Sequence, residues 1–589
     1  MTVDQAIVMA IIVVAMALFI SDRWRFDLIA LGALVASVLA GVVPQDRAFS
    51  GFSDPAVITV AAVLIISRAL ASSGVVDLIA ARITSFARGQ LSQLLTLSFT
   101  GAALSGFMNN VGALALLMPV ALANARRFKY PPAAVLMPLS FATLLGGLTT
   151  LIGTPPNLII AAFRDRAVGE RFGMFDFAPV GIAIAAAGIA YIALIGWRLI
   201  PRDRKGQSDE PMFEIRNYIS ELRVGDASPA VGRTVAEFEG TIEDSLTVVG
   251  IVRGERHIIA GVRWQTLHAG DILLVRAETK ALEQAVKDAK LELLTERLEA
   301  LGLEQDELAF AEAVVTPESW IRGYSPTALR LRRRHEVNLI ALAREGQPIR
   351  ERLGSTRLAA GDVLLLQGEA ERLPEVIKTL GCLPLASRRL TLEPRRVLVP
   401  VSIFATAILL TSLDLVSAAV AFTGAALLMV IARSIAPREV YESVDWPVVV
   451  LLGAMIPVGG ALESTGAAQL ISGTVFGLVG EVPPRAALCV VLVLTMALTP
   501  LLNNAATVVI MAPIVIGIAG QLGLDVDPFL MAVAIGASCD FLTPIGHQNN
   551  TLILGPGGYR FGDFWRVGLP LDLVVVLVAV AVIPMVWPF

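Results

Sequence analysis

Four short polar interruptions carry the chemistry open to this chain. Asn109-Asn110 and Asn503-Asn504 are amide pairs set in the middle of long uncharged stretches. The run from Gly146 to Asn157 contains Pro155-Pro156, and the run from Leu542 to Asn550 contains Pro544 among several polar side chains. Proline removes a backbone donor and clashes with the preceding turn, so neither run stays one continuous helix. A helix interrupted inside apolar surroundings leaves backbone groups free. Its restarted N-terminus can hold an anion, and its unwound carbonyls can hold a cation. Joint binding of an anion and a cation at helix breaks is the chemistry of a secondary transporter. An enzyme is disfavoured, because no nucleophile, metal cluster or Gly-rich phosphate loop accompanies these residues.

The elements that position these breaks are membrane helices. The chain has 589 residues, is 55% hydrophobic and 17% charged, and has a mean hydropathy of +0.70. Of its 98 charged residues, 27 basic and 31 acidic ones fall between Pro201 and Pro394, so two membrane blocks flank one soluble insert. The blocks carry 20 basic and 20 acidic residues, which leaves no basic patch for nucleic acid. Three cysteines and four histidines show no ligand spacing, which sets aside a disulfide framework or a transition-metal cluster. The first apolar run lacks a basic leader and a small-residue cleavage site, and reads as a retained helix rather than a signal peptide.

Against the roughly 20 residues needed to cross a bilayer, the first block offers spans at 5–20, 27–43, 56–76, 134–160 and 177–199. The second offers 397–413, 415–432, 447–470, 528–554 and 568–588. Residues 89–125 and 486–524 contain no charge over 37 and 39 positions, too long for one straight helix. Each has its amide pair near the middle, as suits a re-entrant hairpin.

The two blocks repeat each other. Residues 69–74 match 461–466 at an offset of 392, Asn109-Asn110 match Asn503-Asn504 at 394, Ile152-Gly153 and Asn157 match Ile545-Gly546 and Asn550 at 393, and Asp176-Phe177 match Asp563-Phe564 at 387. With a hairpin returning to its own side, each block crosses five times, and an odd number inserts the second copy upside down. Under that topology eleven basic residues, among them Arg23, Arg82, Arg88, Lys129, Arg433 and Arg560, face the cytoplasm, against five on the other side. The insert, flanked by Arg198, Arg202, Arg204, Lys205, Arg395 and Arg396, is then cytoplasmic. It is itself duplicated at an offset of 91, with residues 248–253 and 270–275 standing against 339–344 and 361–366, as short strands around helices such as 279–300.

The Asn109-Asn110-Val111-Gly112-Ala113 run with Met118-Pro119, the Ile152 to Asn157 run, and Asn503-Asn504-Ala505-Ala506-Thr507 resemble the hairpin tips and unwound loop of the divalent anion:sodium symporter family. Its members carry sulfate, dicarboxylates or citrate. The insert resembles a pair of TrkA-C regulatory domains. The resemblance implies an all-α polytopic fold of two inverted repeats, each with a re-entrant hairpin and a broken helix, plus an α+β insert. The divisions are 1–200, 201–300, 301–394 and 395–589. It implies an elevator-like homodimer in the inner membrane, with sodium as the coupling ion and a nucleotide as the candidate ligand of the cytoplasmic domains.

Carried over residue by residue, the resemblance places Asn110, Val111, Thr154, Asn504, Ala505, His547 and Gln548 at the substrate. Asn109, Asn110, Gly153, Asn503, Asn504 and Gly546 are placed at the cations. The family's tips read Ser-Asn-Thr, whereas Val111 and Ala505 stand here for the Thr, and His547 and Gln548 replace a Thr-Pro. Two lost hydroxyls favour a small oxyanion such as sulfate over a di- or tricarboxylate. Buried amide pairs can also simply bridge helices, but their repetition at one spacing favours a site. Arg68, Glu463 and Asp540 are the charges nearest the midplane, with depths the sequence leaves open. A ligand-gated ion channel and a sodium/proton antiporter are the alternatives. The channel reading lacks a repeated selectivity-filter sequence.

Overall fold

The computed structural model describes residues 1–21, 23–74, 90–128, 130–200, 220–241, 246–253, 256–258, 262–277, 289–294, 309–335, 337–349, 353–369, 372–385, 394–470, 473 and 483–589. Arg82, Arg88, Lys129, Arg202, Arg204 and Lys205 lie outside them.

Among the described residues, eight helices of ten or more residues precede the insert. They are α1 (Val3–Ser21), α2 (Phe26–Leu39), α3 (Pro55–Ser72), α4 (Gln90–Ser105), α5 (Asn110–Phe128), α6 (Ala133–Gly147), α7 (Pro155–Val168) and α8 (Ala178–Tyr191). Eight more follow it: α9 (Pro394–Ser412), α10 (Ala418–Ile431), α11 (Trp446–Ser464), α12 (Pro484–Leu502), α13 (Asn504–Leu522), α14 (Asp527–Ala537), α15 (Gln548–Gly557) and α16 (Phe564–Val586). Both uncharged runs fold as two helices hinged at the amide pair, α4–α5 and α12–α13. Both polar runs break a helix, between α6 and α7 and between α14 and α15. Seven segments among the described residues are long and apolar enough to cross a membrane. α12 and α13 are both among them, so length alone does not separate a re-entrant hairpin from two crossings.

The contacts between the halves are exchange-symmetric. α2 packs on α11 and α10 on α3; α6 packs on α15 and α14 on α7; α8 packs on α16. A two-fold relation produces this pattern, because whenever two elements touch their counterparts must touch as well. Matching atoms repeat the same bonds. The Asp176 carboxylate accepts from Gly173 N and the Asp563 carboxylate from Arg560 N. A Cβ on Gly181 would run into the Leu148 carbonyl, and one on Gly568 into the Phe541 carbonyl, which packs α8 and α16 tightly against the two breaks.

The insert holds two five-stranded antiparallel sheets of one topology. The first runs β3-β2-β4-β1-β5, from β1 (Ser220–Val224), β2 (Leu246–Arg253), β3 (Arg256–Ile258), β4 (Ile272–Ala277) and β5 (Leu291–Leu294). The second runs β8-β7-β9-β6-β10, from β6 (Ala309–Val315), β7 (Asn338–Arg344), β8 (Gln347–Ile349), β9 (Val363–Gly368) and β10 (Cys382–Pro384). The register breaks at Val248/Gly250 in one and Leu339/Ala341 in the other. Asp271, 1% exposed, takes Arg253 at 2.7 Å, and Asp362, also 1% exposed, takes Arg344 at 2.7 Å. The expected helix over 279–300 is corrected at 291–294. Alternating apolar Leu291 and Leu293 complete the first sheet against β1 as β5, and the rest of that range lies outside the described residues except Ala289 and Lys290.

The second sheet sits on α15: a Cβ at Gly361 would lie 3.0 Å from the Thr551 carbonyl, and one at Gly346 would lie 2.6 Å from Gly558 Cα. Lys378 Nζ reaches Glu439 at 2.9 Å, and this bond holds the Glu439 carboxyl below the usual carboxylate range. Arg68 approaches the same carboxylate at 3.7 Å, so it belongs to the end of α3 that faces the insert.

At the far end of α15, the fully buried Tyr559 enters the backbone of α6. Its hydroxyl accepts from Met137 N at 2.8 Å and donates to the Ala133 carbonyl at 2.5 Å. It bridges two groups that an unbroken helix would pair directly. Tyr559→Phe strands both in a buried setting and is expected to destabilise the protein by about 2 kcal/mol, seen as earlier thermal unfolding. An unchanged midpoint would show that α6 closes the gap by itself.

Candidate functional site

The site is built where four helices begin: α5 at Asn110, α13 at Asn504, α7 at Pro155 and α15 at Gln548. The two breaks are closed by one device. Asn157 Nδ2 donates to the carbonyls of Gly147 (3.2 Å) and Thr150 (2.8 Å), ten and seven residues back. Asn550 Nδ2 donates to those of Asp540 (2.7 Å) and Thr543 (3.1 Å), again ten and seven back. The hinges are similar as well. Ser105 Oγ donates to Asn110 Oδ1 at 2.6 Å, and Thr499 Oγ1 lies 3.4 Å from Asn504 Oδ1 while donating to the Ala537 carbonyl at 2.9 Å.

Around the first break several acceptor oxygens are buried together. A Cβ placed on Gly147 would lie 2.6 Å from Asn110 Oδ1 and 3.3 Å from the Gly153 carbonyl, so both oxygens face one small space. Asn549, reaching across from α15, donates through Nδ2 to the Asn110 carbonyl (3.2 Å) and Thr143 Oγ1 (2.8 Å). Its Oδ1 and that of Asn157 are buried with no donor. Leaving such an oxygen unpaired costs about 1–3 kcal/mol, and a desolvated cation satisfies it as a donor would. The Thr150 hydroxyl donates to the Gly106 carbonyl, tying this break to the hinge before α5.

Around the second break several residues differ, and one of them brings a charge. Asp540 stands at the position of Gly147, 393 residues on, and is 1% exposed. A Cβ on Gly546 would lie 3.1 Å from Asp540 Oδ1 and 3.3 Å from Thr543 Oγ1. Asn503, the hinge residue, holds φ +87° and ψ 158°. That region is almost reserved for glycine and costs on the order of 1–3 kcal/mol, kept here because its Oδ1 accepts from Ala506 N at 2.9 Å. Asn109 has no such backbone; its Oδ1 accepts from Val111 N at 3.2 Å.

The remaining expected residues fall around these breaks. Thr154 precedes α7 in extended backbone, 2% exposed, without capping its helix. Val111 and Ala505 are the second residues of α5 and α13. His547 caps α15, its Nδ1 accepting from Asn549 N at 3.1 Å, which leaves Nε2–H as its donor. The Gln548 side chain lies against the Glu318 carboxylate of the insert. Glu463 carries a buried oxygen without a partner, on α11 away from both breaks. A cavity of about 420 Å³ lies beside the first break, lined by Leu151, Leu158, Thr59, Arg171 and Ser417 among others, and none of the amide pairs reaches it.

Sequence reasoning passed over Asn549 and Thr143, which join α15 to α6, and the hydroxyls of Ser105 and Thr499. The latter were findable: both stand five residues before the second amide, at the same offset of 394.

The family profile CitMHS, citrate transporter, matches residues 16–536 and 484–589. An uncharacterized transporter of Synechocystis, sll0640, is 32% identical over 97% of this chain and 95% of its own. The uncharacterized transporter YfbS of Escherichia coli is 31% identical over 99% of both chains. Sodium/sulfate cotransporter 1 of Chlamydomonas reinhardtii is 25% identical over 55% of this chain and 39% of its own.

Proposed function

The chain belongs to the CitMHS citrate transporter family, and on that premise we propose that it carries a small divalent anion, sulfate ahead of di- and tricarboxylates, by sodium-coupled symport. The observation that carries this reading is the pair of oxygen-lined breaks beside four helix starts. Helix N-termini favour the anion and buried, donor-less oxygens favour the cation. A dianion entering a site of low dielectric needs neutralising charge, so sodium binding would both complete the pocket and couple the two gradients. The apolar Val111 and Ala505 beside the hinges offer no hydroxyl to a large carboxylate, and the relative named a sodium/sulfate cotransporter points the same way.

The exchange-symmetric packing supports two inverted repeats, 1–200 and 395–589, with the hinged helices as re-entrant hairpins moving in an elevator-like homodimer of the inner membrane. The insert modules, 201–300 and 301–394, would then be cytoplasmic, TrkA-C-like, and placed by the contact on α15 to bias the carrier through a bound ligand such as a nucleotide.

Labelled sulfate, succinate and citrate, offered to proteoliposomes with and without a sodium gradient, test the reading. Sulfate uptake is expected to be saturable and to rise about tenfold or more with inward sodium. Currents beyond carrier turnover would favour a channel, and proton release on adding sodium without an anion would favour an antiporter.

A further inference from the structure

We propose that Asp540 forms a sodium site in the second break that is chemically unlike its counterpart in the first, binding the cation through carboxylate charge rather than through neutral oxygens alone. The inference rests on the sodium-coupled reading and adds which cradle holds sodium by charge.

The two halves make the same Nδ2 bonds at Asn157 and Asn550 and both carry a glycine at 153 and 546, so a departure between them stands out. The largest is Asp540 in place of Gly147. The second is Asp572 on α16, where the first half has Ala185 at the offset of 387. The two acids are buried, 1% and 8% exposed, and lie close enough to act on each other. Neither Asp540 oxygen has a hydrogen-bond partner of good geometry, nor has Asp572 Oδ1. Among the described residues no Lys or Arg forms an ion pair with either.

Isolated buried carboxylates of this kind cost several kcal/mol unless paired, ligated or protonated. Asp540 Oδ1 already lies over Gly546, beside Thr543 Oγ1, and the Asn504 side chain lies against the same carboxylate. These are hard oxygen ligands, suited to an alkali cation and not to a soft metal. A sodium ion held by the Asp540 carboxylate adds no net charge there, so a divalent anion would have to be offset mainly by cations in the neutral cradle of the first break.

The test is thermal unfolding of the purified full-length protein in sodium chloride against choline chloride at constant ionic strength, with lithium and potassium as further arms. The wild-type midpoint is expected to rise with sodium, and Asp540→Asn to need at least tenfold more sodium for half of that rise. Asp572→Asn is expected to give a smaller shift in the same direction. In choline, Asp540→Asn is expected to unfold no earlier than the wild type, since it removes a buried carboxyl group with no hydrogen-bond partner of good geometry. An Asp540→Asn response to sodium equal to the wild-type response overturns the site alone. Earlier unfolding in choline also overturns it, because the carboxylate would then be a structural partner. A wild type indifferent to sodium, with sodium-independent uptake, would instead remove the coupling on which the inference stands.

Discussion

Asn110→Ala and Asn504→Ala are each expected to cut substrate uptake by about 100-fold or more, equivalent to about 2.7 kcal/mol of lost binding and positioning. Both proteins should still insert and elute as single species. The expected loss follows from position rather than from bulk. Asn110 Oδ1 faces the space bounded by Gly147 and the Gly153 carbonyl, and its own carbonyl receives Asn549 from the other half. The truncation therefore removes an oxygen from the cradle while leaving in place the backbone carbonyl through which α5 meets α15. Asn504 lies against Asp540, with Thr499 Oγ1 3.4 Å from its Oδ1, so its loss acts on the second cradle. Labelled-substrate uptake at several sodium concentrations separates the two. Asn504→Ala should be partly recovered by higher sodium, and Asn110→Ala should not. Near-wild-type uptake by both variants would take the amide pairs out of the site.

The sequence made the breaks visible because proline pairs and paired amides in an uncharged stretch contradict a continuous membrane helix. It made the halves visible because the contradictions recur at offsets of 394 and 393. What it could not give is which polar group meets which across the fold. Asn549 reads as one more amide beside Asn550, yet one joins α15 to α5 and α6 while the other closes the break behind it. Tyr559 reads as a loop aromatic, although it is threaded into the backbone of α6, more than 400 residues earlier. Periodicity carries information about one element's faces, and these bonds join elements whose separation in sequence erases any periodic trace. The segment at 291–294 failed for a related reason: its length and composition fit a helix as well as a strand, and only the free edge of β1 decides. The strained backbone at Asn503 is likewise silent in sequence, because a side chain bonding Ala506 N is what allows a non-glycine residue there.

The two glycines of the breaks, equivalent by offset, are expected to respond unequally to the same methyl group. Neither has the positive φ that would make alanine strained in itself, so the outcome depends on what the new Cβ meets. At Gly153 it meets backbone: the Gly147 carbonyl oxygen at 2.5 Å, and the Gly147 carbonyl carbon and Cα at 3.0 Å. Those atoms belong to the end of α6, and the Gly147 carbonyl is also held by Asn157, so relief requires the break itself to open. At Gly546 the new Cβ meets side-chain atoms, Asp540 Oδ1 at 3.1 Å and Thr543 Oγ1 at 3.3 Å, which can turn aside by a few tenths of an ångström. Gly153→Ala is therefore expected to lower uptake by about 100-fold, a loss equivalent to ~2.7 kcal/mol, and to leave no sodium concentration that restores it. Gly546→Ala should stay within about fivefold of the wild type, equivalent to ~1 kcal/mol, and show mainly a higher sodium requirement. Uptake kinetics over a sodium series on both variants decide the matter. Equal losses would mean that the Asp540 side of the site is as rigid as the backbone-walled side, and near-normal uptake by Gly153→Ala would mean that the first break does not hold the cation at all.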